Sequence, residues 1–235
     1  MKRSSFFILV AFWGLVLWSG CTPYYVTANF GERTARHETI AVVPFEMIYT
    51  GIIPDNLSPT ELQDLEAAES QAFMISFYHE ILRSTKSGKH PIRVDVQPYD
   101  RTLDLLAARD IGIQESWRMP ADELARLLKV DAIVRARIEK NQLMPDLASY
   151  GIEVGVRVLQ VLSDHHLWPL LPHEITKAKE IHGSYNLHDL TGETVLWSVG
   201  IKEEADWRMP ANEIIDNFNR RAARKFPYRE EVPMM

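Results

Sequence analysis

Apolar residues recur along this chain with three different spacings, and each spacing predicts its own kind of element. From Glu38 to Glu46 the run ETIAVVPFE is apolar until Pro44 interrupts it, which predicts a short buried strand. Gly, Pro and Asn punctuate residues 47–57, the composition of a loop. At Ser58-Pro59-Thr60-Glu61 the spacing turns helical: Ser58 can cap, Pro59 suits the first turn and Glu61 can close a capping box. The helix is expected to reach about Ser84, with Leu62, Leu65, Ala68, Ala72 and Ile75 along one face. Beyond Gln71 the apolar band widens with Phe73, Phe77, Tyr78, Ile81 and Leu82, so that half is expected to be buried. Ile92 to Val96 alternates as a strand does. Asp100 is placed to cap a helix holding Leu103, Leu106 and Ala107, and Pro120 opens another with Leu124, Leu127 and Leu128 inward.

The second half alternates. Ala132, Val134, Ala136 and Ile138 lie opposite Arg135, Arg137 and Glu139. Ile152, Val154, Val156 and Val158 lie opposite Glu153, Gly155 and Arg157, and Ile181, Gly183, Tyr185 and Leu187 opposite His182, Ser184, Asn186 and His188. After a turn at Thr191-Gly192-Glu193, Val195, Trp197, Val199 and Ile201 lie opposite Ser198, Gly200 and Lys202. Four such strands predict an antiparallel meander with one buried and one wet face. Pro210 opens a last helix, with Ile214, Ile215, Phe218 and Ala222 inward and Arg220, Arg221, Arg224 and Lys225 at its negative end. The expected fold class is α/β: a mixed sheet with a C-terminal four-strand antiparallel meander, and helices packed on one or both faces.

The third spacing is an unbroken apolar stretch, Phe6 to Trp18, behind Lys2 and Arg3 and ahead of Ser19 and Gly20. Its ~13 residues fall short of the ~20 that a membrane-spanning helix needs, and the layout is that of a secretory leader. Cys21 follows at once and is the only cysteine, so no intramolecular disulfide can form. Leu17-Trp18-Ser19-Gly20-Cys21 resembles a bacterial lipobox, with Trp18 standing where the pattern prefers Leu. The resemblance implies cleavage before Cys21 and lipid on its thiol; a plain secreted protein or an uncut membrane anchor is the alternative. In lipoproteins an Asp after the cysteine marks inner-membrane retention. Thr22 stands there, so the resemblance implies the outer membrane, with the chain facing the periplasm. Two or more acyl chains hold a protein on a bilayer with no other apolar feature. Residues 1–20 are then a signal peptide, 21–37 a lipidated tether, 38–228 a single α/β domain and 229–235 a C-terminal tail. Loss of the leader takes the formal charge from −6 to −8, an acidic balance that argues against a nucleic-acid partner.

One phrase occurs twice. Trp117-Arg118-Met119-Pro120-Ala121-Asp122-Glu123-Leu124 returns as Trp207-Arg208-Met209-Pro210-Ala211-Asn212-Glu213-Ile214. Either it is a shared way of starting a helix, with Pro and an acidic group in the first turn, or the Trp-Arg pairs form a docking patch, since Trp and Arg carry much interface energy. The segment Ser163–Glu180 holds a second candidate surface: Leu167, Trp168, Leu170 and Leu171 form an apolar run that must cover the domain's own core or meet a partner or membrane. The polar sheet face with Arg135, Arg137, Arg157 and Lys202 is a third.

No chemistry of a known catalytic kind stands out. There is no phosphate-cradling glycine loop and no G-x-S-x-G elbow. His165, His166, His173, His182 and His188 cluster in sequence, yet the last two lie about 20 Å apart along one strand. Neither a metal nor a cofactor is expected, and Asp189 and Glu193 fit a turn better than an acid/base pair.

Ile40-Ala41-Val42-Val43-Pro44-Phe45 resembles the opening strand of the family around the curli-secretion lipoprotein CsgG and the penicillin-binding-protein activator LpoB. Glu123 to Val134 is similar to that family's helix followed by a strand, and Leu187 to Ser198 to its hairpin. The resemblance spans about residues 38–207. It implies a non-catalytic outer-membrane lipoprotein that works by binding proteins, as an accessory or assembly factor of an envelope or export machine, with homo-oligomerisation open. A pore of CsgG type would need two long membrane-crossing hairpins, and Pro169, Pro172, Glu174, Lys177 and Lys179 suit no such strand. An oligomeric pore and an envelope hydrolase without a familiar motif are the competing functions.

Overall fold

The computed structural model describes residues 23–50, 58–86, 91–140, 180–191, 194–204 and 211–229. The strands are β1 (Tyr24–Val26), β2 (Thr39–Val42), β3 (Glu46–Tyr49), β4 (Asp95–Val96), β5 (Ala132–Lys140), β6 (Glu180–Asp189) and β7 (Val195–Glu204). The helices are α1 (Phe30–Arg33), α2 (Pro59–Lys86), α3 (Tyr99–Ala107), α4 (Ile113–Arg118), α5 (Ala121–Leu128) and α6 (Ala211–Ala223). The strands form one mixed sheet in the order β1-β7-β6-β5-β2-β4, with β3 beside β5. The fold is α/β, as the alternation predicts.

Local sequence explains most of these elements. The capping box closes at α2: Ser58 N–H donates to Glu61 Oε2 at 2.8 Å and Glu61 N–H to Ser58 Oγ at 3.2 Å. The helix runs to Lys86, slightly past its expected end. The strand expected over 38–46 ends at Val42, and a separate strand, β3, takes Glu46–Tyr49, running into the stretch whose composition predicts a loop. β2 pairs in parallel with the first residues of β5, and β3 with the last, so Pro44 falls in the gap, where a missing N–H costs no ladder bond. β5, β6 and β7 form the antiparallel run, and β1 extends it. The strand expected over 152–158 lies outside the described residues.

Two sets of apolar side chains meet the sheet on opposite faces. On one, Ile40, Val42, Val134, Tyr185 and Trp197 pack with Phe73 and Phe77 of α2 and Phe218 of α6. On the other, Ala41, Val43 and Ile133 pack with Leu106, Leu124, Ala125 and Leu128 of α3 and α5. β2 is thus covered on both sides and reads as a continuous apolar run, whereas β6 alternates because, among the described residues, most of its second side is uncovered.

Contact between α6 and the sheet is close. A Cβ on Gly183 would lie 2.6 Å from two carbons of the Phe218 ring. Beside it the Tyr185 hydroxyl donates to Asn219 Oδ1 at 2.6 Å, and Asn219 Nδ2 donates to the Phe73 carbonyl at 2.9 Å. One buried polar link therefore joins β6, α6 and α2. A second lies at the end of β5, where Lys140 and Glu69, both fully buried, pair at 2.7 Å and the Tyr49 hydroxyl donates to the same carboxylate oxygen.

The expected tether over 21–37 requires correction: from Pro23 onward it belongs to the domain. β1 pairs with β7, Gly200 N–H donates to the Pro23 carbonyl at 2.9 Å, and Thr27 N–H to the Leu196 carbonyl at 3.0 Å. Arg33 reaches Asp189 at 2.6 Å and Thr191 at 2.9 Å, and the Phe30 ring meets Tyr228 edge-on. A three-residue strand and a four-residue helix are too short to show periodicity, and their partners lie far along the chain. The other expected boundary shifts less: Arg229, assigned to the tail, bridges to Ile92.

Two outcomes follow. Gly183→Ala drives a methyl into the Phe218 ring and should lower unfolding free energy by about 1–3 kcal/mol in urea melts; an unchanged midpoint contradicts this packing. Burial alone would raise the Asp189 carboxyl, but the Thr191 hydroxyl and Arg33 together hold it below its ordinary value of 3.8. A depressed folded value means stability that is present above the unfolded value and lost as pH falls through the folded one. The stability of the native chain should therefore decline on acidification below about pH 4 more steeply than that of Asp189→Asn.

Candidate functional site

Part of the second sheet face, uncovered among the described residues, presents an open polar surface. Register places Arg137 of β5 beside Ser184 of β6 and Glu139 beside His182, while Ser184 faces Gly200 and His182 faces Lys202 of β7. Ser184 and Gly200 form the floor of a trough of about 710 Å³, which Arg137, Lys202 and Arg221 flank and Pro23 bounds. The floor is low because its side chains are small. At Gly200 a Cβ would come within 3.0 Å of Pro23 Cγ, so a bulkier residue would displace the start of β1.

Most charges around the trough are paired. Arg137 binds Glu46 at 2.7 Å, Glu180 holds Lys202 and lies 3.4 Å from His182 Nε2, and Arg221 lies 3.7 Å from Glu203. The Lys202 ammonium holds the Glu180 carboxyl below its usual range, with His182 adding to the effect. Such a surface presents alternating donors and acceptors on a rigid frame. It can bind a polar or charged surface by hydrogen bonds and charge pairing.

Arg135 departs from the sequence reading. It shares the β5 face with Arg137, but its guanidinium turns under the α4–α5 corner and donates to the carbonyls of Ser116 and Met119. Burial lowers its pKa. It is a bracket between sheet and helices, not part of an open surface. Sequence alternation could place Arg135 on the polar face but could not show that α4 and α5 cover that half of it. The trough's link to Pro23 is not legible in the sequence either, since nothing there pairs a residue so near the leader with β7.

Of the repeated phrase, the first copy is described. Trp117, in the last turn of α4, is half-buried against the main core, Arg118 is exposed, and Met119 packs on the second apolar cluster. The indole Nε1 of Trp117 is buried with no acceptor among the described residues. Pro120 immediately precedes α5, with Asp122 and Glu123 in its first turn. In the second copy α6 begins at Ala211 with Glu213 in its first turn, so both copies lead into a helix. Trp207, Arg208, Leu167, Trp168, Leu170, Leu171, Arg157 and Cys21 lie outside the described residues, as do His165, His166 and His173. Among the described residues no group of three or more His, Cys, Asp or Glu side chains could hold a metal, and no helix is long and apolar enough to cross a membrane.

No protein-family model matches the chain. No curated protein matches it either. Solved structures similar to it include the PelC dodecamer from Paraburkholderia phytofirmans, at 11% identity and a TM-score of 0.41, covering 87% of this chain and 95% of that one. Lipoprotein GNA1162 from Neisseria meningitidis matches at 8% identity and a TM-score of 0.40, over 80% of this chain and 94% of that one. The C-terminal domain of LpoB from Salmonella enterica matches at 8% and 0.34, over 82% and 91%. These likenesses are remote, and no function follows from them.

The different settings of the two arginines are testable. Arg135→Met leaves two backbone carbonyls without their charged donor and should cost about 2 kcal/mol, whereas Arg137→Gln breaks a largely exposed pair and should cost under about 1 kcal/mol. Urea melts of the two variants measure the difference; equal losses would contradict the assignment.

Proposed function

We propose that the chain is a non-catalytic envelope lipoprotein, acylated on Cys21, that binds other proteins through the open sheet face and so serves an assembly or export machine. On this reading it sits on the outer membrane and faces the periplasm. The observation that carries the reading is the place of Pro23. The lipobox-like Leu17–Cys21 ends two residues before Pro23, and Pro23 is hydrogen-bonded to β7 beside the polar trough. A lipid on Cys21 would hold that trough at a fixed short distance from a bilayer, where membrane-bound partners are concentrated. The trough supplies recognition groups, and no nucleophile is set against a base among its lining residues. Binding therefore accounts for it better than turnover.

Two measurements test the reading. The intact mass of the native protein should correspond to a chain that begins at Cys21 and carries acyl groups; a retained leader with unmodified sulfur overturns the acylation. In-cell crosslinking from Ser184 should capture an envelope protein. Arg137→Glu combined with Lys202→Glu should reduce that capture by about tenfold or more, as for loss of roughly 1.4 kcal/mol of interface energy, while circular dichroism shows the domain still folded despite the loss of two surface ion pairs. Capture that ignores the charge reversal would remove the sheet face from the account, and recovery of only the chain itself would favour a homo-oligomer.

A further inference from the structure

We propose that the β1 edge of the sheet is itself a membrane contact: Tyr24 and Tyr25 insert into the headgroup layer, and the basic end of α6 meets anionic lipid phosphates beside them. The inference rests on acylation of Cys21, and it adds an orientation to it.

Tyr24 and Tyr25 are 54% and 52% exposed. As consecutive residues of a strand they point to opposite faces, so no single helix of the domain could cover both. The strand that carries them is held to β7 along its length, from the Pro23 carbonyl to Thr27 N–H. It cannot swing away from a nearby bilayer without breaking those bonds. Covalent reach then sets the distance. The Cα of Cys21 lies within about 7 Å of that of Pro23 and about 11 Å of that of Tyr24. The polar layer outside the hydrocarbon is about 5–7 Å deep on each side, so a lipid on Cys21 brings headgroups to these two rings. Tyrosine, apolar in body and polar at its tip, collects in that layer.

Charge supports the same occupant. Lys225 Nζ lies 6.0 Å from the centre of the Tyr24 ring. Arg224, exposed, precedes it on the turn that ends α6. These cations sit beside the strand in a chain whose formal charge without its leader is −8, so the local sign opposes the overall one. Each basic residue near an anionic leaflet strengthens attraction about fivefold. An exposed edge strand can also template pairing with a second copy. Lipid is the better occupant because the acyl chain delivers a bilayer to this edge whatever the protein concentration.

The test uses the full lipidated chain in vesicles of phosphatidylethanolamine and phosphatidylglycerol. Tyr24, Tyr25 and Leu190 are replaced one at a time by photoreactive benzoylphenylalanine; Leu190, 38% exposed, sits in the β6–β7 turn at the opposite end of the sheet from that toward which Pro23 leads. Lipid adducts should form from positions 24 and 25 and not from 190. Arg224→Gln with Lys225→Gln should lower their yield about fivefold per charge on these vesicles and leave it unchanged on phosphatidylcholine alone. Adducts between two copies, equal lipid adducts from all three positions, or no adducts would overturn the proposal. Intact mass of the same sample reads acylation separately. An acylated chain without lipid adducts defeats this inference alone, whereas an unacylated one defeats the functional reading beneath it as well.

Discussion

Helix α6 comes within contact of the sheet because β6 has no side chain at Gly183, and the Phe218 ring fills the space that a methyl would need. Much else depends on that approach. It brings Asn219 under the Tyr185 hydroxyl and ties both to the Phe73 carbonyl, so α2 and α6 settle on one face as a pair. It closes the larger core, in which Phe218, Phe73, Phe77 and Tyr185 are wholly buried; each such side chain is worth about 1.5–3 kcal/mol against exposure. It also carries Arg221 to the Lys202 carbonyl at the rim of the trough and Lys225 to Tyr24. The packing of this one helix thus places one flank of the trough and the cation beside Tyr24.

The opposite face is governed by shortage. α3 and α5 cover β2, the start of β5 and the facing end of β6, and among the described residues nothing covers the rest of β6 and β7 there. Polar residues on those strands, together with Arg137 and Glu139, keep that half solvated. Arg135 stands at the boundary, drawn under the α4–α5 corner while Arg137, two residues on, stays exposed. Such a change of environment along one strand turns a regular alternation into a local binding surface with an edge.

A third constraint acts at the start of the folded chain. β1 closes the open edge of β7, and Arg33, Phe30 and Thr34 fasten the segment after it to Asp189, Tyr228 and Arg93. A lipidated residue followed by a loose tether would let a domain sample many orientations. With Pro23 already in the sheet, the freedom between Cys21 and the domain is that of two residues. On the proposed acylation, the geometry of the sheet edge would set how the domain stands on the membrane.

Several things were legible in the sequence because they depend only on neighbours along the chain. The capping box at Ser58 and Glu61 is completed within four residues. The continuous run in β2 and the alternation in β6 and β7 report how many sheet faces are covered, since burial on one or two sides selects residue type directly. The repeated Trp-Arg-Met-Pro phrase signals helix starts for the same local reason. The fate of residues 24–37, the split of β2 from β3 and the burial of Lys140 and Arg135 were not legible. Each is settled by partners that sequence distance conceals: Tyr25 by Ser198, Lys140 by Glu69, Arg135 by carbonyls of a helix corner that no periodicity marks. Short-range pattern determined which faces are apolar and where long elements begin. Tertiary structure alone decided which polar groups are covered and which stay open, because that depends on where distant helices come to rest.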